Sequence, residues 1–173
     1  SPSPVPTVLE YLAAQNIKVL ATTADSRAGT IMETNTAATT SVAHGAWTAI
    51  NCGGTPTSER DPLALINVDS YSPLAAVAGW YDILVQVKFT GSTGGTRRLV
   101  GWATSNAGPP GSTAQTTWTP GGASVSLLYF HRDLALLAAG NRIIPFAYQD
   151  SGAALSVTQA RVVVRFVSLT PVP

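Results

Sequence analysis

The sequence predicts an all-β fold, an antiparallel sandwich or barrel, and three observations carry that prediction. In residues 78–89, AGWYDILVQVKF, apolar side chains take every second position from Tyr81 onward: Tyr81, Ile83, Val85, Val87 and Phe89. Asp82, Gln86 and Lys88 lie between them and only Leu84 is out of pattern, so the stretch reads as a half-buried strand. After residue 20 helical periodicity stops; Thr, Gly, Val and aromatic residues dominate, with turn signals at short intervals. Strands that follow one another with no helix between them argue for antiparallel rather than parallel pairing.

Taken in order, SPSPVP (1–6) alternates proline and favours an extended, polyproline-like arm. TVLEYLAAQNIKVL (7–20) reads as a short helix. Thr7 and Glu10 have capping-box spacing, in which each side chain satisfies a free backbone N–H of the first turn. Val5, Leu9, Leu12, Asn16 and Val19 follow a 4-3-4-3 spacing, a heptad seam too short to be stable alone in water. Such a helix packs on its own domain, or associates with copies of itself or with a larger assembly. Strands are expected near 30–35, 37–42, 46–51, 65–70, 79–90, 96–104, 114–118, 123–131, 141–149 and 155–169. CGGTPTSERDP (52–62) and NAGPPGS (106–112) are loops by their Gly and Pro content, and TPVP (170–173) is a second extended tail. The expected division is an arm, helix and linker over 1–35 and a single β-domain over 36–173.

A chain of 173 residues can bury a substantial core without staples. Only 11% of it is charged, against roughly 25% for an average soluble domain, so Ser, Thr, Asn, Gln and Gly must cover the surface. A net charge of +1 gives no basic field for nucleic acid. The adjacent pair Arg97–Arg98, beside a predicted turn, reads as a solvated tip. Cys52 is the single cysteine, so no internal disulfide forms and an intracellular place of synthesis fits. No apolar run approaches the roughly 20 residues of a membrane span, and no membrane insertion is expected. The N-terminus has no signal-peptide pattern; its Ser fits removal of an initiator Met or of a leader.

Catalytic and metal chemistry find little to stand on. His44 and His131 are the only histidines, and with one cysteine they do not supply the three or four ligands of a zinc site. His131, in LLYFHRD, reads as a strand-end residue. Nucleophile-elbow, zincin, P-loop and dinucleotide fingerprints are absent. TGSTGGT (90–96) is glycine-rich but joins two strands, whereas a phosphate cradle opens a helix; it reads as a hairpin turn. The nine carboxylates are scattered, mostly in predicted turns, and show no pair of the kind glycosidases use. Glu59 and Asp61, flanking Arg60, offer at most a surface calcium site. Trp47, Trp80, Trp102 and Trp118 can stack on sugars, but tryptophan in alternating strands is more often core or interface. No enzyme activity and no cofactor are expected.

The succession of HGAWTAIN (44–51), AAVAGWYDILVQVKF (75–89), RRLVGW (97–102), ASVSLLYFHRDLALLAAGNRIIPFAYQDSGAALSV (123–157) and ARVVVRFVSL (160–169) resembles the C1q/TNF-like jelly roll. It is most similar to the versions in bacteriophage structural proteins, often minor tail proteins of phages infecting actinobacteria. The Gly-Trp-Tyr step at 79–81 matches the family's entry into a central strand, and Leu137–Ile143 with Tyr148–Leu155 matches its late turn and strand pair. Two departures stand out. The CGGTP loop replaces an acidic stretch, which weakens any carry-over of calcium or partner binding there, and Asn141 takes the place of the usual Asp.

The resemblance implies a non-enzymatic virion structural protein, made in the host bacterial cytoplasm and located in the virion. It implies a homotrimer in which Trp80 and Leu84, on the strand face opposite Tyr81, contact the neighbouring subunit. The segment carrying Val5, Leu9, Leu12 and Val19 would then anchor it to other virion proteins. A minor tail or baseplate component is the first expectation, a capsid decoration or head-fibre protein the second, and a module for host-surface glycan or protein a third.

Overall fold

The computed structural model describes residues 31–36, 40–53, 55–56, 58–61, 64–95, 97–105, 112–114 and 127–169. The predicted arm and helix over 1–20, together with Val5, Leu9, Leu12 and Val19, lie outside them, as does Trp118. The described residues form twelve strands: β1 (Ile31–Thr36), β2 (Thr40–Val42), β3 (Thr48–Ala49), β4 (Ser58–Arg60), β5 (Ile66–Val68), β6 (Pro73–Ala75), β7 (Gly79–Phe89), β8 (Arg98–Ala103), β9 (Ser112–Ala114), β10 (Leu127–Leu137), β11 (Ile144–Gln149) and β12 (Leu155–Leu169).

Two antiparallel sheets pack face to face. The large one runs β10-β7-β12-β1-β4, with β2 also paired to β12; the small one runs β3-β11-β8-β9, and β5-β6 make a separate hairpin. β7 sits between β10 and β12 and is paired along its whole length with both. Its residues alternate strictly between buried and half-buried, with every odd position from Gly79 to Phe89 inside. β12 alternates likewise, placing Ala160, Val162, Val164 and Phe166 in the core beside Tyr81, Ile83, Val85 and Val87. Two register shifts, at Val157/Gln159 and Phe166/Ser168, let this 15-residue strand bend over the core.

Tyr81 closes the core at one end. It is fully buried and meets Phe166 edge to face at 5.3 Å between ring centroids. Its hydroxyl donates to the Val77 carbonyl (2.8 Å), with the Leu65 carbonyl 3.0 Å away as a second acceptor. Burial pushes its pKa up to about 12, so the ring stays neutral and keeps that donor. Gly79 is needed two residues earlier, because a Cβ there would lie 2.5 Å from the Ser168 carbonyl oxygen and 2.8 Å from the Phe166 ring.

Several expectations change. TGSTGGT is not a hairpin turn: both edges of β7 are occupied, so the chain crosses to the other sheet before β8 begins. The crossing folds down onto the β11–β12 turn, where Gly94 and Gly95 press against the backbone of Ser151 and Asp150, and Gly95 takes φ +75°. Arg98 is accordingly no solvated tip. It is 2% exposed, donates to the carbonyls of Arg97 and Gly94, and lies 3.5 Å from Asp150. Arg97 is the exposed member of the pair, bonded to Asp150 and stacked over Tyr148. His131 lies in the middle of β10 rather than at a strand end, because the strand continues through Arg132 and Asp133 to Leu137. The strand expected near 30–35 is present as Ile31–Thr36, and it joins the large sheet by pairing with Ala160–Arg165 of β12.

Truncating Tyr81→Ala is expected to cost about 3–5 kcal/mol through the cavity it opens. Tyr81→Phe should cost about 1–3 kcal/mol, because it removes the hydroxyl that donates to the Val77 carbonyl. Chemical denaturation measures both; a mild effect of the alanine variant would mean that the faces of β7 are reversed.

Candidate functional site

The side of the large sheet turned away from the core is the surface the rest of the molecule leaves unexplained. On β7 this side carries Trp80, Asp82, Leu84, Gln86 and Lys88, all half-buried. Residues directly paired in an antiparallel ladder share a face. The register therefore sets Leu136 beside Trp80, Leu134 beside Asp82 and Arg132 beside Leu84 on β10. On β12 it sets Arg165 beside Asp82 and Val163 beside Leu84. Val167, the residue passed over at the second register shift, is exposed next to them.

The result is an apolar face. Leu134 (57%), Leu136 (53%), Val167 (46%) and, at the end of β12, Leu169 (38%) are exposed. Single exposed leucines are ordinary, but a contiguous cluster is the mark of a surface that something covers. A charged pair, Arg132 and Asp82, lies within it. Arg132 Nε donates to Asp82 Oδ1 (2.8 Å) and Nη2 to Oδ2 (2.6 Å), a two-pronged guanidinium–carboxylate bond. That bond holds the Asp82 carboxyl below the usual carboxylate range, with burial opposing it and the charges of Arg132 and Arg165 assisting. It also raises the Arg132 pKa. Two shallow depressions flank the pair, one lined by Asp82, Arg132, Asp133, Leu134 and Val167, the other by Asp82, Leu84, Arg132, Val163 and Arg165.

Trp80 and Leu84 thus lie on one face, where the sequence placed them. Leu134, Leu136 and Val167 were missed. Their signal was present: DLALL and RVVVRFV are apolar at odd and even positions alike, the pattern of strands buried on both sides.

The polar groups elsewhere serve the fold. Both Asp61 oxygens accept backbone N–H groups, from Leu65 (2.8 Å) and Ile66 (2.6 Å), which accounts for the carboxylate considered for calcium. Asp69 accepts from the backbone of Tyr71 and Ser72 and from Arg142. Burial pushes its pKa up, but these bonds outweigh it and hold the carboxyl low. Gln149, fully buried, donates to the carbonyls of Val42 and Ala153 and accepts from Ser151, tying β11 to β2 of the other sheet. His44 Nδ1 accepts the Gly152 N–H at 3.0 Å. Burial lowers the pKa of His131, with the Asp133 charge opposing. Among the described residues no group of three or more His, Cys, Asp and Glu is placed to hold a metal. Trp102 is core, while Trp47 is half-buried and tilted against Tyr148 at 5.5 Å.

No protein-family model matches the chain, and no curated protein sequence matches it. Solved structures do. PRD1 vertex protein P5 superimposes with a TM-score of 0.56 at 15% identity, over 80% of this chain and 73% of that one. Eiger TNF from S. frugiperda superimposes with a TM-score of 0.53 at 12% identity, over 83% of this chain and 94% of that one. The fold is a jelly roll of the C1q/TNF-like kind, as the order of sequence motifs implied.

Burial pushes the Cys52 thiol up to about 12, which leaves almost no thiolate to react at mildly alkaline pH. Iodoacetamide is expected to spare Cys52 in the native protein and to alkylate it in denaturant. Rapid native labelling, read by mass spectrometry, would contradict its buried placement.

Proposed function

We propose that the protein is a non-enzymatic virion structural module that assembles as a homotrimer through the outer face of β10, β7 and β12. The observation that carries this reading is the cluster of Leu134, Leu136 and Val167, exposed beside half-buried Trp80 and Leu84, in a chain with so few charges to spare. A self-complementary patch of this kind is hidden by symmetric association. Three copies is the number the family resemblance implies. In this reading the part of the 1–35 segment that precedes β1 attaches the trimer to its particle, with Val5, Leu9, Leu12 and Val19 as the docking seam. The 36–173 region, with β1 added, is the exposed module.

The motif order supports a minor tail or baseplate position. The likeness to a PRD1 vertex protein supports the second reading, a capsid-surface decoration or head-fibre protein. Trp47, Tyr148 and Arg97, clustered on the small sheet away from the apolar face, favour a further role in holding host-surface glycan or protein. Gold-labelled antibody to this chain, viewed on intact particles, separates tail from capsid. Particles left unlabelled at both places would remove the virion assignment.

Light scattering of the full chain should give three times its 17.9 kDa mass at micromolar concentration. Trp80→Ala should keep the subunit folded while making the assembly dissociate at concentrations at least roughly tenfold higher, since one buried aromatic contact is worth more than about 1.4 kcal/mol. A wild-type chain that stays monomeric would contradict the reading, and so would a Trp80→Ala chain that unfolds.

A further inference from the structure

Resting on the trimer reading, we infer that the Asp82–Arg132 pair is an acid-sensitive latch: with the carboxylate charged the copies hold together, and with it protonated they separate. The geometry sets up this behaviour. The pair sits inside the apolar face, between Leu134 on one side and Leu84 and Val163 on the other, and borders both depressions. A second copy that covers Leu134, Leu136 and Val167 covers the pair as well and takes both charges out of water.

A buried ion pair contributes little net affinity when it is intact, because desolvation offsets most of the attraction. Removing one partner is costly, because the other charge is then buried without compensation. The groups facing Asp82 make the loss of its charge especially costly. From β10 it faces Arg132 directly, with Asp133 at the rim of the same depression. From β12 it faces Arg165. On its own strand its same-face neighbours are Trp80 and Leu84, which are apolar. Protonating Asp82 takes a carboxylate from between two guanidinium groups, so the mutual repulsion of these cations adds to the desolvation already incurred.

The direction follows from linkage. Asp82 is already held in its charged form in the separate subunit by Arg132. Covering the pair strengthens its attraction to the two guanidinium groups, so the assembled state favours the carboxylate further, and affinity present above the separate subunit's own depressed value is lost as pH falls through it. Arg132 does not titrate in this window. Dissociation is therefore expected on acidification, below about pH 4, and neutral or mildly alkaline solution should leave the assembly intact.

The test is light scattering of the full chain between neutral pH and about pH 3, with far-UV circular dichroism recorded in parallel. Wild type should lose trimer mass on acidification while its β signal persists. Asp82→Asn should dissociate already at neutral pH, at concentrations at least about tenfold higher than wild type. The double variant Asp82→Asn/Arg132→Gln keeps a hydrogen-bonding pair without the titrating carboxylate, and its mass should not change with pH across the range. Wild type trimeric at neutral pH and unchanged at about pH 3 would overturn the latch and leave the trimer standing. A double variant that dissociates in acid as wild type does would overturn it too. A wild type monomeric at neutral pH would overturn the trimer and the latch together.

Discussion

β7 is hydrogen-bonded from Gly79 to Phe89 on both edges, and most of the molecule follows from that constraint. With both edges taken, the next strand cannot pair with it, so the chain must cross to the second sheet. Residues 90–95 begin that crossing, and the buried Arg98 and the β11–β12 turn secure its far end. The same pairing fixes the faces. A slip of one residue would exchange Tyr81, Ile83 and Val85 for Trp80, Asp82 and Leu84 inside the core. Asp82 makes that alternative prohibitive, since a carboxylate turned inward would meet Val164 and Val162 rather than Arg132.

The inner side of β7 therefore builds the subunit, and its outer side is free for something else. An ordinary jelly roll could carry Thr, Ser and Lys there. This one carries Trp80 and Leu84, aligned with Leu134 and Leu136 of one neighbouring strand and Val163 and Val167 of the other. The apolar rows match across three strands, and sequence-distant segments contribute to one patch. That coincidence is better accounted for by a covered surface than by a solvated one. The ion pair within it gives the patch a register, because apolar contact alone is tolerant of sliding, whereas a two-pronged guanidinium–carboxylate bond is directional.

Much of the fold was legible because alternation is a local property. β7 could be read from Tyr81 to Phe89, and β12 agrees with the predicted 155–169 at both ends. What could not be read depends on partners distant in sequence. Ser58–Arg60 is polar and lies within a Gly- and Pro-rich stretch; it is a strand because β1 lies beside it. Pro73–Ala75 starts on a proline, tolerable at the first position of a short hairpin strand. Arg132 and Asp133 interrupt an apolar run and suggested the end of β10, yet Arg132 is satisfied by Asp82 from across the ladder. The TGSTGGT composition speaks for a turn but not for which strands the turn connects. Of the outer face, Leu84 was marked by its break in alternation and Trp80 by its place one residue before Tyr81. Leu134 and Leu136 belong to a run apolar on both faces, which gives a single strand no preferred side until its neighbour supplies one.

The central claim is that the outer face of β10, β7 and β12 is covered when copies of the chain meet. Hydroxyl-radical footprinting of the full chain, at concentrations well above and well below its association midpoint, addresses it most directly. Trp80, Leu134, Leu136 and Val167 should lose reactivity as concentration rises, while Trp47 and Tyr148 on the small sheet should not change. Protection of Trp47 and Tyr148 with undiminished oxidation of Leu134 and Leu136 would place the contact on the other sheet and contradict the account.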